Sequence, residues 1–414
     1  MIRLSLICLL ISNLLGQKIF EEFKKGQNKK YHYKETYRFD WIPDNGSYTL
    51  SVKNMEGNII VNGQERSGIE IFIKHKIRAK TEKQAKKLVE ENKIDVYHIE
   101  DNNLIQINAD KKIRYRHNVS TVFNINLPIN IQLNLETSGG DINVKHIQGE
   151  LVLKTSGGDI ELKNLSGRID AKAFGGDIKI SSLEGLIRVH TSGGDIDVKH
   201  SEGQFNVSTA GGDMEFQNLV GNIEAQTSGG YILLENISGS TISARSAGGD
   251  ILVKEVIADI DCKTLRGAII LENIKGNADV STSGGDIEID ELTGSIVCYT
   301  SGGNIDGDNI FGLVDASTLA GDIKLEISYL TEMKDYGMNI KTDTGDILIQ
   351  IPTNLPVNVD AEISGTDLVQ DLNSDIPLDI KVNNNRVTGS GSLLAGIIPM
   401  KLRASFGTIT IEQD

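Results

Sequence analysis

Residues 137–160 read TSGGDINVKHIQGELVLKTSGGDI, so the last six letters repeat the first six after an 18-residue step. Aligning the second glycine of each copy gives Gly140, Gly158, Gly176, Gly194, Gly212 and Gly230. After one inserted residue come Gly249, Gly267, Gly285, Gly303 and Gly321. A single period held over eleven copies marks a solenoid, in which each repeat buries its apolar side against its neighbours.

The columns of this alignment show what is buried. Two and four residues after the main glycine stand Ile142 and Val144, Ile160 and Leu162, Ile178 and Ile180, down to Ile287 and Ile289. Seven and five residues before it stand Leu133 and Leu135, Leu151 and Leu153, Ile169 and Ala171, Ile187 and Val189. A spacing of two puts each pair on one face of a strand. A second turn glycine follows nine residues after the first, at Gly149, Gly167, Gly185, Gly203 and Gly221, and the intervening columns are Lys, Asp, Glu, Asn and Ser. The pattern predicts an all-β chain: a parallel β-solenoid with 18-residue coils, two strands per coil and a flattened two-sheet aliphatic core.

A stack of this kind needs caps at both ends. Residues 36–135 lose the period but keep strand patterning in SYTLSVKNMEGNIIV, GIEIFIKHKIRA and TVFNINLPINIQLNLET. Between them TEKQAKKLVEEN (81–92) offers a Thr N-cap and Ala85, Leu88 and Val89 at helical spacing, which predicts one amphipathic helix covering the first coil. The repeat proper occupies 136–330. Residues 331–414 hold degenerate copies, KTDTGDILIQIP (341–352) and a last one in RASFGTITIE (403–412), which form a C-terminal β cap. Residues 17–35, with KKGQNKK, read as a basic, flexible N-terminus. Ahead of them MIRLSLICLLISNLLG (1–16) carries one early positive charge and a short apolar run ending in small residues, the pattern of a secretory signal peptide cut before Gln17. No later run has the length of a membrane span.

Charge divides the chain. Residues 17–135 hold 21 Lys and Arg against 15 Asp and Glu, whereas residues 136–414 hold 20 against 42, for a net charge of −15 overall. So acidic a repeat body argues against nucleic acid as a partner, because phosphate binding needs a basic surface.

The candidate chemistry sits at the corners. Asp141, Asp159, Asp177, Asp195 and Asp213 follow the glycine pair, and Asp250, Asp286 and Asp322 continue the column, with Tyr231, Ala268 and Asn304 interrupting it. Carboxylates stacked about 4.8 Å apart repel, so either a cation lies between them or each accepts backbone N–H groups of its own turn, with Lys145, Lys163, Lys199 and Lys254 sharing the charge. Calcium-binding nonapeptide repeats need a GGxGxD unit in every half-coil, and here one corner has GGD and the other a lone glycine. The turn reading therefore stands ahead of the cation ladder.

The threonine column Thr137, Thr155, Thr191, Thr209 and Thr227 reads as an internal hydroxyl ladder. Cys262 and Cys298 share a core column with Val280 between them, too far apart for a disulfide, and the seven histidines show no metal-ligand spacing. Asp306 and Asp308 flank Gly307, where a core residue is expected. This acidic pair is the one place to look for a carbohydrate-active enzyme, against a plain reading as a distorted coil. No catalytic residue and no cofactor is expected.

The order of these segments (signal peptide, GNIIV entry, helix of the TEKQAKKL type, an LP-to-TSGGDI junction, repeats, closing FGTITIE) resembles the bacterial putative-adhesin family, exported domains of unknown function. The resemblance covers the chain from about residue 38 onward and implies a β-solenoid at the cell envelope, with no active site to carry over. The expected function is an exported, non-enzymatic, monomeric binding module or scaffold in the periplasm, on the outer surface or outside the cell. Its ligand would be an unidentified envelope, surface or glycan partner. A β-helix enzyme and a calcium-dependent repeat scaffold are the alternatives.

Overall fold

The structure is a computed structural model that describes residues 17–40, 42, 47–109, 118–333 and 336–414. The leader expected at residues 1–16 lies outside the described residues, as do Trp41 and His117. The chain divides into two compact units, Met1–Thr209 and Ala210–Asp414, and the division falls inside the repeat.

Both units are built from the same coil. In the first unit, strands Ile142–Thr155, Ile160–Ala173, Ile178–Thr191 and Ile196–Thr209 pair in parallel, each residue opposite the one 18 positions on. The expected inward columns are buried, from Ile142, Val144, Leu151 and Leu153 onward. A further inward column was not foreseen: Ile147, Leu165 and Leu183 in this unit, and Leu219, Ile237, Val256, Ile274, Leu292 and Ile310 in the other. It exists because the residue before each of these is left-handed, for example His146 at φ 59°, Asn164 at 54° and Ser182 at 58°. One such residue reverses the strand's alternation, so the seventh position after the main glycine faces in where the sixth would have. The chain then turns at the second glycine, whose φ of 119° at Gly167 and 131° at Gly185 favours a residue without Cβ.

The main corner is governed by contact between backbones. A Cβ on Gly158, Gly176 or Gly194 would lie closer than 3.0 Å to the carbonyl of the equivalent glycine one coil back. The first glycine of each pair is different: around Gly193 the nearest atom to an added Cβ is 3.8 Å away. Accordingly Arg266 and Ala320 occupy that first position in two coils, while the second position stays glycine. The buried threonine fixes the same corner. Thr191 Oγ1 donates to the carbonyl of Gly176 at 2.9 Å and accepts the N–H of Gly194 at 3.3 Å. The hydroxyl ladder is thus a series of clasps to glycine backbone, missing in the coil of Gly176, where Ala173 stands in the column.

The flanks depart from sequence order. Strands Thr49–Met55 and Asn58–Gln64 form a coil around Gly57 that stacks directly under the coil of Gly140, with Ile59 opposite Ile142 and Leu50 opposite Leu133. Thr137 Oγ1 donates to the Gly57 carbonyl at 2.9 Å, and Asn58 takes the place of the corner aspartate. The segment expected to be only a cap therefore begins the stack, some eighty residues ahead of the repeat. Beyond it on one side lie Val119–Pro128, Ile69–Arg78, Lys30–Phe39 and Gln17–Lys25, and on the other Leu104–Ala109 and Ile94–Ile99.

The expected flexible arm at residues 17–35 is thus folded into two strands. Tyr31, Tyr33, Tyr37 and Phe39 alternate on a buried face, and Lys18 ties the edge strand to buried Glu35 at 2.6 Å. The helix Glu82–Glu91 has its Thr81 cap as expected, Oγ1 accepting from Gln84 N–H. Its buried Ala85 and Leu88 pack on Tyr31, Tyr33, Ile77 and Ala79, however, so it covers these outer strands and not the first coil.

In the second unit the inserted residue lies just past Gly239. Asn222 Oδ1 accepts both Ser240 and Thr241 N–H at 3.2 Å, and the strand register shifts there. At Gly307 the missing core side chain is replaced by its neighbours: Ile310 Cδ1 and Leu325 Cδ2 come within 2.7 and 2.8 Å of where a Cβ would sit. The last copy is not the outermost. Strands Ile398–Phe406 and Ile409–Gln413 slot between Gly337–Thr344 and Val357–Ser364 on one side, and between Ile347–Ile351 and Leu372–Ser374 on the other. An antiparallel hairpin of Asp379–Val382 with Arg386–Ser392 then covers the edge of Val357–Ser364. Leaving that edge bare would invite pairing with other chains.

The two glycines of one corner give a paired prediction. Gly193→Ala should change stability by less than about 0.5 kcal/mol. Gly194→Ala should cost about 3 kcal/mol or more, because stacked backbone cannot yield. Urea unfolding of the full chain reads both; equal costs would refute the steric lock.

Candidate functional site

The corner aspartates turn out to join coils. Asp159 N–H donates to Asp141 Oδ1 at 3.1 Å, Asp177 N–H to Asp159 Oδ1 at 2.9 Å, and Asp195 N–H to Asp177 Oδ1 at 2.9 Å. In the second unit Tyr231 N–H donates to Asp213 Oδ1 at 3.0 Å, and Ala268 N–H to Asp250 Oδ1 at 2.8 Å. Each of these carboxylates accepts from the next coil's backbone, where the expectation was a bond within its own turn. Asn304 does not interrupt the column after all, since its Oδ1 accepts Asp322 N–H at 2.9 Å. An amide oxygen suffices, so the position does not need a charge. The lysines expected to balance it go elsewhere: Lys145 pairs with Glu161 at 3.4 Å, Lys199 with Asp197 at 3.0 Å and Lys254 with Glu272 at 2.9 Å.

Other candidate groups are brought together no more closely. Cys262 and Cys298 are buried and free, each paired across the sheet with Val280. Burial pushes the Cys298 thiol up to about 12, far from a reactive thiolate. His146, His190 and His200 are exposed on separate coils. His75 is 4% exposed, with its Nδ1 3.0 Å from Thr121 Oγ1 and its ring against Tyr33. Burial brings its pKa down to about 4 although Glu35 opposes the shift. Among the described residues no group of three or more His, Cys, Asp and Glu side chains is arranged to hold a metal ion. None of the helices there is long and apolar enough to cross a membrane.

What varies from coil to coil is the outward columns. Asp306 and Asp308 are on the outer face, opposite Glu288 and Asp290 of the preceding coil. Desolvation raises the Asp306 pKa, Lys324 opposes it, and Asp286, Asp308 and Asp322 add to the rise. The pair thus belongs to an exposed sheet face. Charge is divided by unit as well: Met1–Thr209 holds 30 Lys and Arg against 26 Asp and Glu, and Ala210–Asp414 holds 12 against 31.

Against known proteins, the family described as Toastrack DUF4097 matches twice, over residues 41–238 and 199–412. Among solved structures, a putative cell adhesion protein from Clostridium sporogenes is 13% identical. That match covers 92% of this chain and 100% of the other, with a TM-score of 0.18. A putative adhesin from Bacteroides fragilis is also 13% identical, covering 70% and 96%, with a TM-score of 0.25. No curated protein matches the chain.

Two outcomes follow from the geometry of these groups. Asp177→Ala should lose about 1 kcal/mol by orphaning the Asp195 N–H, while Asp177→Asn should stay near wild type. A melting temperature unmoved by EDTA should accompany both; a calcium-dependent melt would revive the cation ladder. For His75 the sign is set by its depressed pKa. Folded His75 stays neutral down to about 4 while the unfolded chain takes up a proton from about 6.5. Its contribution is therefore complete above pH 6.5 and lost as pH falls to 4, by about 3 kcal/mol. His75→Gln should remove that share of the acid sensitivity in denaturant titrations at pH 7 and 4.5, and an unchanged pH dependence would contradict the assignment.

Proposed function

The chain belongs to the Toastrack DUF4097 family, and from that premise we propose that it is an exported, non-enzymatic, adhesin-like module that binds an envelope, surface or glycan partner through its outward sheet faces. The observation that carries this reading is the commitment of the corner chemistry to backbone. Carboxylates that resembled a cation ladder accept N–H groups of the next coil, and the buried hydroxyls clasp glycine carbonyls. With the core and the corners occupied by structural tasks, diversity is left to the side chains that stand out from the two sheets. A sheet face of in-register parallel strands suits recognition more than turnover, which calls for groups converging in a sheltered site. Export rests on the leader pattern of residues 1–16, and the monomeric state on the covering of the C-terminal sheet edge.

The test pairs binding with turnover. The mature chain, labelled and applied to a panel of polysaccharides and to isolated cell-envelope material, should bind without releasing reducing ends. Asp306→Asn with Asp308→Asn should leave the substrate panel uncleaved as before. Cleavage that disappears in this double variant would make the chain an enzyme and end the proposal. Fractionation should find the protein outside the cytoplasm with Gln17 at its N-terminus; cytoplasmic retention would remove export from it.

A further inference from the structure

One stretch of outer face breaks the polar rule. The column three residues after the main glycine reads Asn143, Glu161, Lys179 and Asp197 in the first unit. In the second it reads Glu215, Leu233, Leu252, Ile270, Glu288, Asp306 and Lys324. The pairing puts Leu233, Leu252 and Ile270 side by side on adjacent strands, followed in line by Glu288 and Asp306. All three aliphatic side chains are partly exposed. The neighbouring column, Glu235, Lys254, Glu272, Asp290 and Asp308, is acidic save for Lys254, which is paired with Glu272.

The fold does not require aliphatic residues here. The same column holds Lys179, Lys324 and Asn143 in other coils at unchanged pairing. Contiguous apolar side chains on a sheet face cost solubility unless something covers them. The choice of cover follows from charge. This unit carries 12 Lys and Arg against 31 Asp and Glu, so its field draws cations and repels anionic polymers.

We propose that the outward face carrying Leu233, Leu252 and Ile270 docks a cationic amphipathic polypeptide segment, its aliphatic side chains on the strip and its Lys or Arg side chains over Asp290, Asp306 and Asp308. The proposal rests on the binding-module reading above and names a partner class for one face of it. The strip supplies the desolvated contact and the flanking carboxylates supply on-rate and orientation. Anionic glycans and nucleic acids are excluded from this face by its charge.

The probe is a synthetic peptide of alternating Leu and Lys, titrated against the full mature chain beside an oligolysine of equal charge. The alternating peptide should bind at least tenfold more tightly than oligolysine. Leu252→Asn with Ile270→Asn, a change to a residue this column already accepts, should remove that tenfold advantage and leave oligolysine binding unchanged. Asp290→Asn with Asp308→Asn should weaken both peptides. Equal affinity for the two peptides, or full binding by the Leu252/Ile270 variant, would overturn the proposal. Sedimentation velocity covers the other occupant: a dimer abolished by the same variant would assign the strip to a second copy of the chain and also overturn it. Retained binding to envelope material in any of these cases would show that the general binding function stands while this face is not its site.

Discussion

Everything in this molecule depends on how closely one coil's main corner sits on the next. The second glycine of each pair lies against the carbonyl of its counterpart one coil back, with no room for a methyl group between them. Because that contact is backbone on backbone, it cannot be relaxed by a rotamer change, and it fixes the residue type. The threonine three residues before the glycine closes the same joint with one donated and one accepted hydrogen bond. Length variation is thereby driven to the opposite corner. The single inserted residue appears there, beside Gly239, where Asn222 can receive the two displaced N–H groups.

This tight joint also decides where chemistry can reside. An aspartate next to it reaches the N–H of the following coil, and Asn58 and Asn304 reach it equally well. The like charges of the column accompany the use of a short acceptor for the next coil's backbone. With corner and core both committed, only the outward columns are free to differ. They do differ, from a near-balanced first unit to a strongly acidic second one.

The repeat was legible because its strongest signals are steric and periodic: glycine where nothing else fits, and aliphatic pairs two residues apart. The extra inward column was hidden by its odd spacing. Positions two, four and seven after the glycine do not share a strand face until one left-handed residue reverses the alternation. A trace of it was present, since Asn164, Asn218, Asn236, Asn273 and Asn309 occupy that left-handed position and Asn tolerates it well. The coil at Gly57 was not legible as a stack member, and the last copy, though read as a repeat, was not legible as lying between earlier strands. Their partners lie tens of residues away, with Asn58 bonded to Asp141 and Thr408 to Asp346. Strand patterning names a strand but not the neighbour it chooses. The N-terminal arm was misread for a related reason: its lysines dominate the composition, while the buried alternation of Tyr31, Tyr33 and Tyr37 specifies the structure.

Freedom of the outer columns also sharpens what counts as a functional signal in such a protein. A buried isoleucine or a corner glycine says only that the stack must close. An outward residue says something when the fold would accept a cheaper one, and the sheet shows what it accepts by holding Lys179, Asp197 and Asn143 at one equivalent position. By that standard the corner aspartates, conspicuous in the sequence, carry little information about a ligand. Three adjacent aliphatic residues facing outward carry much more, because neither the core nor the joint calls for them and water disfavours them.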